Sequence, residues 1–335
     1  MMETKRQRSL SVWSCLPSAI LLSAAFFIGS AFMIMDYKQM FLGCHIYAIK
    51  ATRFNICENR CRPDGTGTLP RGIISKTTDL EMLPLRGPPK KKKSKSPTNL
   101  LAVTVGIKQK KNVNEIVKKF ELTDFALMLF HYDGNLDGWK DLEWSKGAIH
   151  VSAINQTKWW FAKRFLHPDV VAHYDYIFLW DEDLGVENFD AQRYLSIIKE
   201  EGLHISQPAK IPAKSHVHYK LATEKVNSEV HGFMEMMALV FSRTSWRCVW
   251  YMIQQNDMTL ALGLNSQLGH CAQGNKTTNI GIVDAEYVVH RGLPALRGSA
   301  VKQVQELNKF KNRWKKAVGE DECWVDPFQQ PLDHK

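Results

Sequence analysis

From Asn99 onward, short apolar runs alternate with segments of helical spacing, and this alternation constrains the fold more than any other feature. The apolar runs predict strands: NLLAVTVGI, DFALMLFHYDG, DYIFLWDED, HISQPA, GFMEMMALVFS and NIGIVDAEYVVH. The segments between them predict helices: NVNEIVKKF, KWWFAKRFLHPDVVAHY, DAQRYLSIIKEEG and SWRCVWYMIQQND. The order predicts an α/β fold, with a mostly parallel mixed sheet and helices on both faces.

One of these strands ends on three consecutive acids, Asp181, Glu182 and Asp183. In an extended segment Asp181 and Asp183 point to one side, and Glu182 points to the other. Two carboxylates on one side repel each other unless a cation lies between them, and hard oxygen ligands favour Mn²⁺ or Mg²⁺. Ligands of such sheets gather beyond the carboxyl ends of the strands. The pattern therefore predicts a metal that bridges the phosphates of a nucleotide-sugar; a solvated loop that caps the next helix is the other interpretation.

The N-terminal region has the pattern of a membrane anchor. Residues 16–35 contain no charged side chain, and about 20 such residues span a bilayer as a helix. Basic residues precede this run, so we expect residues 1–15 in the cytosol and the body in a lumen, as in a single-pass type II protein of the Golgi or another secretory-pathway membrane. A signal peptide cleaved after the GSA at 29–31 is the alternative.

Composition predicts three further regions after the anchor. Residues 36–98 are rich in Pro, Gly and Lys and read as a stem, 99–300 as the globular domain, and 301–335 as a helical, basic extension. Nucleic acid is not an expected partner, although the formal net charge is +10. The excess charge lies mainly in the N-terminal 1–35 and the lysines of 90–95, and neither cluster is interleaved with aromatic residues that stack on bases.

Cysteines and glycosylation acceptors agree with a lumenal body. Beyond Cys15 the chain has an even number of cysteines, which pair in an oxidising compartment in a connectivity that the sequence leaves open. The triplets NQT at Asn155 and NKT at Asn275 are acceptors for N-glycosylation.

The amino-acid sequence of the central region resembles that of a known plant protein family. The run FHYDGNLDGWKDLEWSKGAIHVSAINQTKWWFAKRFLHPDVVAHYDYIFLWDEDLGVENFDAQRYLSIIKEEGLHISQP, with VFSRTSWRCVWYMIQ and VDAEYVVHRGLP after it, is similar to the family called domain of unknown function 707. The resemblance covers most of residues 68–300. It implies a glycosyltransferase-like domain of the GT-A type, a UDP- or GDP-linked sugar donor, and a glycan or protein acceptor of unknown identity.

The same resemblance implies roles for several positions. His290, which follows the last predicted strand, would complete the metal site, or else is a core histidine. Glu235 would hold an acceptor hydroxyl or act as general base, or else is a solvated acid at a strand edge. Asp133 would meet the ribose or base of the nucleotide, or else forms a turn with Gly134.

Three basic residues of one predicted helix have two interpretations. One interpretation is that they bind a diphosphate. The other is that they form the solvent-exposed face of a helix whose aromatic residues enter the core; the three residues are Lys158, Lys163 and Arg164.

One position departs from the family pattern. Members commonly read AWGLDF where this chain reads ALGLNS, so Asn265 stands in place of an acid. Because an amide cannot accept a proton as a carboxylate base does, an inactive binding or scaffolding relative is the main alternative to a transferase. A phosphatase of the haloacid-dehalogenase type, which also places two aspartates after an apolar strand, is the third hypothesis.

Overall fold

The computed structural model describes residues 62–74, 97–212, 234–272, 279–292 and 300–327. The chain divides into two compact units, Met1–Arg62 and Pro63–Lys335, and the architecture below is that of the second. The expected anchor at 16–35 lies outside the described residues. Among the helices of the described ranges, none combines the length and the apolar character that crossing a bilayer requires.

Eight strands form one mixed sheet in the order β3-β2-β1-β4-β7-β6-β8-β5. The pairs β1/β2, β1/β4, β2/β3 and β6/β8 are parallel, whereas β4/β7, β6/β7 and β5/β8 are antiparallel. The strands are β1 (Asn99–Val105), β2 (Phe125–His131), β3 (Ile149–Ser152), β4 (Tyr176–Trp180), β5 (Leu184–Gly185), β6 (Ile205–Pro212), β7 (Ala238–Ser242) and β8 (Ile280–His290).

Five helices of the described ranges cover the two faces of this sheet. Alternate residues of β1 show the division, because Leu100 packs in one apolar cluster and Leu101 in the other. Helices α2, α4 and α5 contribute to the first cluster, and α1 and α3 to the second. The predicted α/β class is confirmed. The helices are α1 (Lys110–Val117), α2 (Lys158–Phe165), α3 (Ala191–Glu200), α4 (Arg243–Met252) and α5 (Ala300–Glu320).

Three predicted boundaries differ from the structure. The helix expected over 158–174 ends at Phe165; Pro168 lacks an N–H, and its ring disfavours helical backbone at His167. The run GFMEMMALVFS supplies a strand only from Ala238 onward. Strand β3 was not predicted, because as an edge strand it is half exposed and has no continuous apolar pattern.

Residues 63–74, which the sequence assigned to the stem, pack against α5 in the same compact unit. A Cβ on Gly72 would lie 2.8 Å from the Cβ of Ala317, so the two segments are in direct contact. The Arg71 amide donates to Asp321 Oδ2 at 2.8 Å, and Trp324 Nε1 donates to the Thr68 carbonyl at 2.9 Å. Helix α5, assigned by sequence to an extension, is therefore part of the body.

A disulfide joins α4 to the loop before β8. Cys248 and Cys271 are both fully buried and their sulfurs are bonded to each other. Cys323 is disulfide-bonded as well. The expected pairing of cysteines is thus present in the described part of the chain, and the bond fixes the long loop after α4 against the core.

We predict that α5 contributes core stability through Phe310, whose side chain is 1% exposed. Phe310→Ala should lower the free energy of unfolding by about 3–5 kcal/mol, because it removes apolar contacts and leaves a cavity. Val304→Ala on the same helix is the control, since Val304 is 56% exposed and its change should stay within about 0.5 kcal/mol. Equal effects of the two variants in denaturant titrations would show that α5 is not a core element.

Candidate functional site

The candidate site lies where the order of the strands reverses. From β1 the chain passes to β2 and β3 on one side, and then returns to β4 on the other side of β1. In open α/β sheets, ligands bind outside the carboxyl ends of the strands at such a switch point. The loop at Gly106 follows β1, the loop at Asp133 follows β2, and the acids Asp181–Asp183 follow β4. All three loops meet at this edge.

Glu182 ties the three loops together. Its carboxylate accepts a hydrogen bond from the Gly106 amide at 2.6 Å and another from the Tyr132 hydroxyl. The side chain is buried, and burial raises the pKa of Glu182 to about 7, although both hydrogen bonds lower it. A Cβ at Gly106 would overlap the Tyr132 ring, so this position requires glycine. The alternation of side chains predicted that Glu182 points away from Asp181 and Asp183, but not what it binds.

Asp133 fixes the same loop from the other side. Its Oδ2 accepts from the Ile107 amide at 2.6 Å, and its Oδ1 accepts from the Asn135 amide at 3.0 Å. Gly134 has a φ of 75°, so the predicted turn is also present. Asp133 therefore lies at the expected edge of the sheet, where its carboxylate positions the backbone of the loops after β1 and β2.

Asp183 and His290 meet across the sheet edge. The short strand β5 pairs with the end of β8, which places Leu184 opposite His290. His290 Nε2 lies 3.0 Å from Asp183 Oδ2, and the Arg291 amide donates to the Asp183 carbonyl at 3.0 Å. The structure thus brings together the aspartate and the histidine that the sequence proposed for one site, although they are far apart along the chain.

Asp181 has a different partner. Lys158, the first residue of α2, lies with its Nζ 2.8 Å from Asp181 Oδ1. The same ammonium donates to the Met236 carbonyl at 2.6 Å, and the Asp181 amide donates to the Met237 carbonyl at 2.9 Å. Lys158 is therefore the basic residue of α2 that reaches the acids after β4.

The pair Asp183 and His290 fits a small divalent cation. The 3.0 Å between Oδ2 and Nε2 is the length of a direct hydrogen bond, and two ligands at right angles that each lie about 2.1 Å from a Mg²⁺ ion have the same separation. Across the described ranges, no group of three or more His, Cys, Asp and Glu side chains is arranged to hold a metal ion. The protein would thus supply two ligands, and Mg²⁺-type ions often take their others from phosphate and water.

Glu235 lines a small, open depression of the surface together with Lys210 and Val288. Its carboxylate accepts from Lys210 Nζ, and its amide donates to Gln207 Oε1 at 2.7 Å. The side chain is 43% exposed, so it faces solvent and not the core. Leu184, next to Asp183, lines the same depression, which joins Glu235 to the site.

Lys163 and Arg164 have partners away from the acids. Lys163 Nζ donates to the Gln255 carbonyl at 2.7 Å, and burial lowers the pKa of Lys163 to about 8. The Arg164 guanidinium lies 4.1 Å from the centre of the Trp160 ring. Of the three basic residues proposed from sequence, Lys158 alone contacts Asp181 or Asp183.

Asn265 lies half-buried in a short turn that α5 organises. Buried Glu306 of α5 accepts hydrogen bonds from the amides of Thr259, Leu260 and Leu262, just before that turn. The turn begins at Gly263 with a φ of 88°, and a Cβ there would lie 2.8 Å from the Phe310 ring. The loop is joined to the start of α2, because the Thr157 hydroxyl donates to the Thr259 carbonyl.

A family comparison now adds to this geometry. The family described as "Protein of unknown function (DUF707)" matches residues 60–232 and 231–325. The chain belongs to this family. The match extends beyond residues 68–300, in which the sequence resemblance was found, since it includes all of the segment 63–74 and all of α5. No curated protein sequence matches the chain.

Solved structures match part of the chain at low identity. S. aureus TarS 1-349 is 11% identical with a TM-score of 0.39, over 64% of this chain and 71% of that one. Its complex with UDP gives 12% and 0.40 over the same shares. The 4-diphosphocytidyl-2C-methyl-D-erythritol synthase of Anaerococcus prevotii gives 10% and 0.36, over 64% of this chain and 99% of that one.

We predict that His131 makes this DUF707 protein sensitive to acid. His131 is fully buried at the end of β2, with its Nε2 2.8 Å from His150 Nδ1. Burial, and to a smaller extent the neighbouring His150, lowers the pKa of His131 from 6.5 to about 4. Between these values the unfolded chain binds more protons, so the stabilisation is complete above pH 6.5 and is lost as the pH falls towards 4.

The measurement is the free energy of unfolding of the wild type minus that of His131→Gln. This difference should fall by about 3 kcal/mol at most as the pH is lowered through that window. His173→Gln, at an exposed position, is the control. A difference that stays constant with pH would contradict the assignment.

Proposed function

We propose that this protein transfers a sugar from a UDP- or GDP-linked donor to a glycan or protein acceptor, with a Mn²⁺ or Mg²⁺ ion at the carboxylate site. The observation that carries the proposal is the meeting of Asp183 and His290 at the switch point of the sheet, 3.0 Å apart. This position is the one at which α/β sheets bind nucleotides, and this pair suits a cation that also takes phosphate ligands.

Each part of the site would have a separate task. Asp183 and His290 would hold the ion, which when bound supplies positive charge to the leaving diphosphate. Asp133 and Glu182 hold the loop at Gly106–Ile107 through its amides, and the nucleoside would bind beside this fixed loop. Because this loop is already fixed, less conformational entropy is lost when the donor binds.

Glu235 is the candidate base of the reaction. An acceptor hydroxyl in the adjoining depression would give its proton to the carboxylate as the oxygen attacks the sugar. Lys210 and Gln207 hold Glu235 at the wall of this depression, and the carboxylate remains accessible. The acceptor would thus approach from the side of β6 and β7.

A non-catalytic relative that binds the nucleotide is the second candidate, and Asn265 favours it. The DUF707 pattern places an acid at this position, and an amide cannot replace a base. The two candidates share nucleotide binding and differ in turnover, so binding and transfer must be measured separately.

We further propose a type II membrane protein of the secretory pathway, anchored by residues 16–35. The disulfide Cys248–Cys271 supports this placement, because such bonds persist in oxidising compartments. Asn155 is exposed, as an N-glycosylation acceptor must be.

Thermal unfolding of the full-length protein with Mn²⁺ and either UDP or GDP tests the nucleotide site. A ligand at about 100 times its Kd adds about 2.7 kcal/mol to the stability of the native state, so the Tm should rise with one nucleotide. Asp183→Asn should abolish the rise because it removes an ion ligand. Asp175→Asn, the matched change just before β4 at the other end of the strand, should keep it.

No rise with either nucleotide, in a wild-type sample that unfolds cooperatively, would refute the proposal. A rise that persists in Asp183→Asn would place the nucleotide elsewhere on the protein.

A further inference from the structure

Lys158 is a buried ammonium within the carboxylate site. Its side chain is 7% exposed. Its Nζ lies 2.8 Å from Asp181 Oδ1, 2.6 Å from the Met236 carbonyl and 3.4 Å from the Met237 carbonyl. An ammonium has three N–H donors, and these three oxygens match that number. The charge of Lys158 is therefore held at one place by three acceptors.

The helix that carries Lys158 keeps it there. The Thr157 side chain caps α2 by accepting from the Trp160 amide at 3.2 Å, and the same hydroxyl donates to the Thr259 carbonyl. Trp159 and Phe161, which follow Lys158, are in the core. A lysine at the first position of so well anchored a helix has little freedom to withdraw from Asp181.

As a result, the two aspartates have different partners. The sequence predicts that Asp181 and Asp183 share one cation, but the structure gives each its own partner. Asp183 faces His290, and Asp181 faces Lys158. A divalent ion placed on Asp181 Oδ1 would have an ammonium as its neighbour, and two cations at that separation repel each other.

We propose that Lys158 is a resident cation that removes Asp181 from the set of metal ligands. The inference rests on the proposed function for the presence of a divalent ion at this site. With Asp183 and His290 as its protein ligands, the ion binds weakly to the free protein. It is held firmly only when the diphosphate of the nucleotide supplies further oxygens, so the metal and the nucleotide bind together.

Titration calorimetry with Mn²⁺ alone, on the full-length protein, tests this assignment. In Lys158→Met the carboxylate of Asp181 becomes available, and Mn²⁺ should bind about tenfold tighter than to the wild type. The double variant Lys158→Met/Asp181→Asn should return to the wild-type affinity. Lys163→Met is the matched control, since this second buried lysine of α2 is bonded to Gln255 and should leave Mn²⁺ binding unchanged.

A second pair of variants covers the case in which Lys158→Met does not fold. In the presence of UDP or GDP, Asp181→Asn should change the affinity for Mn²⁺ less than about twofold, because the amide oxygen still accepts from Lys158. Asp183→Asn should weaken binding about tenfold or more. Equal losses in the two variants, or a Lys158→Met protein that folds and binds Mn²⁺ no tighter, would overturn the proposal.

The binding measurements with UDP or GDP distinguish a failure of this inference from a failure of the proposed function. If neither UDP nor GDP binds but Lys158→Met gains Mn²⁺ affinity through Asp181, the division of the aspartates stands and the transferase proposal fails. If nucleotide binds with Mn²⁺ but Asp181→Asn loses as much affinity as Asp183→Asn, the transferase proposal stands and the role of Lys158 fails.

Discussion

Three adjacent carboxylates at the end of one buried strand are the constraint on which the rest of the site depends. Adjacent carboxylates repel each other, and in this fold each of the three has a separate partner that offsets the repulsion. Asp181 is paired with Lys158, Glu182 with the Gly106 amide and the Tyr132 hydroxyl, and Asp183 with His290. The partners come from α2, from the loops after β1 and β2, and from β8. The acids therefore determine how four distant parts of the chain meet.

The C-terminal helix α5 supports the site indirectly, through a loop that contacts the start of α2. Glu306 fixes the loop at 259–262 through its amides, and that loop is joined by Thr157 to the helix that carries Lys158. The segment 63–74 packs near the C-terminal end of α5. Regions that appear peripheral along the chain thus support the central site. Their removal would disturb the positions of residues that contact the acids.

The sequence predicted the class of the fold and much of the site for clear physical reasons. Strand periodicity located β1, β2, β4 and β8, and the rule that ligands gather at strand ends drew attention to Asp181 and Asp183. The family resemblance, and not a local pattern, added His290 to that hypothesis. Other features depend on contacts that no local pattern records. The partners of Glu182 follow β1 and β2, and the partner of Lys163 is a backbone carbonyl after α4. Edge strand β3 has too little apolar alternation to be recognised.

The most direct measurement is an anomalous difference map of crystals of the protein grown with Mn²⁺ and UDP or GDP. We expect one strong peak about 2.2 Å from both Asp183 Oδ2 and His290 Nε2, with the diphosphate completing the ion's ligands and Lys158 still bonded to Asp181. Nucleotide bound at another place on the protein, or bound at this edge of the sheet with no metal between Asp183 and His290, would contradict the account.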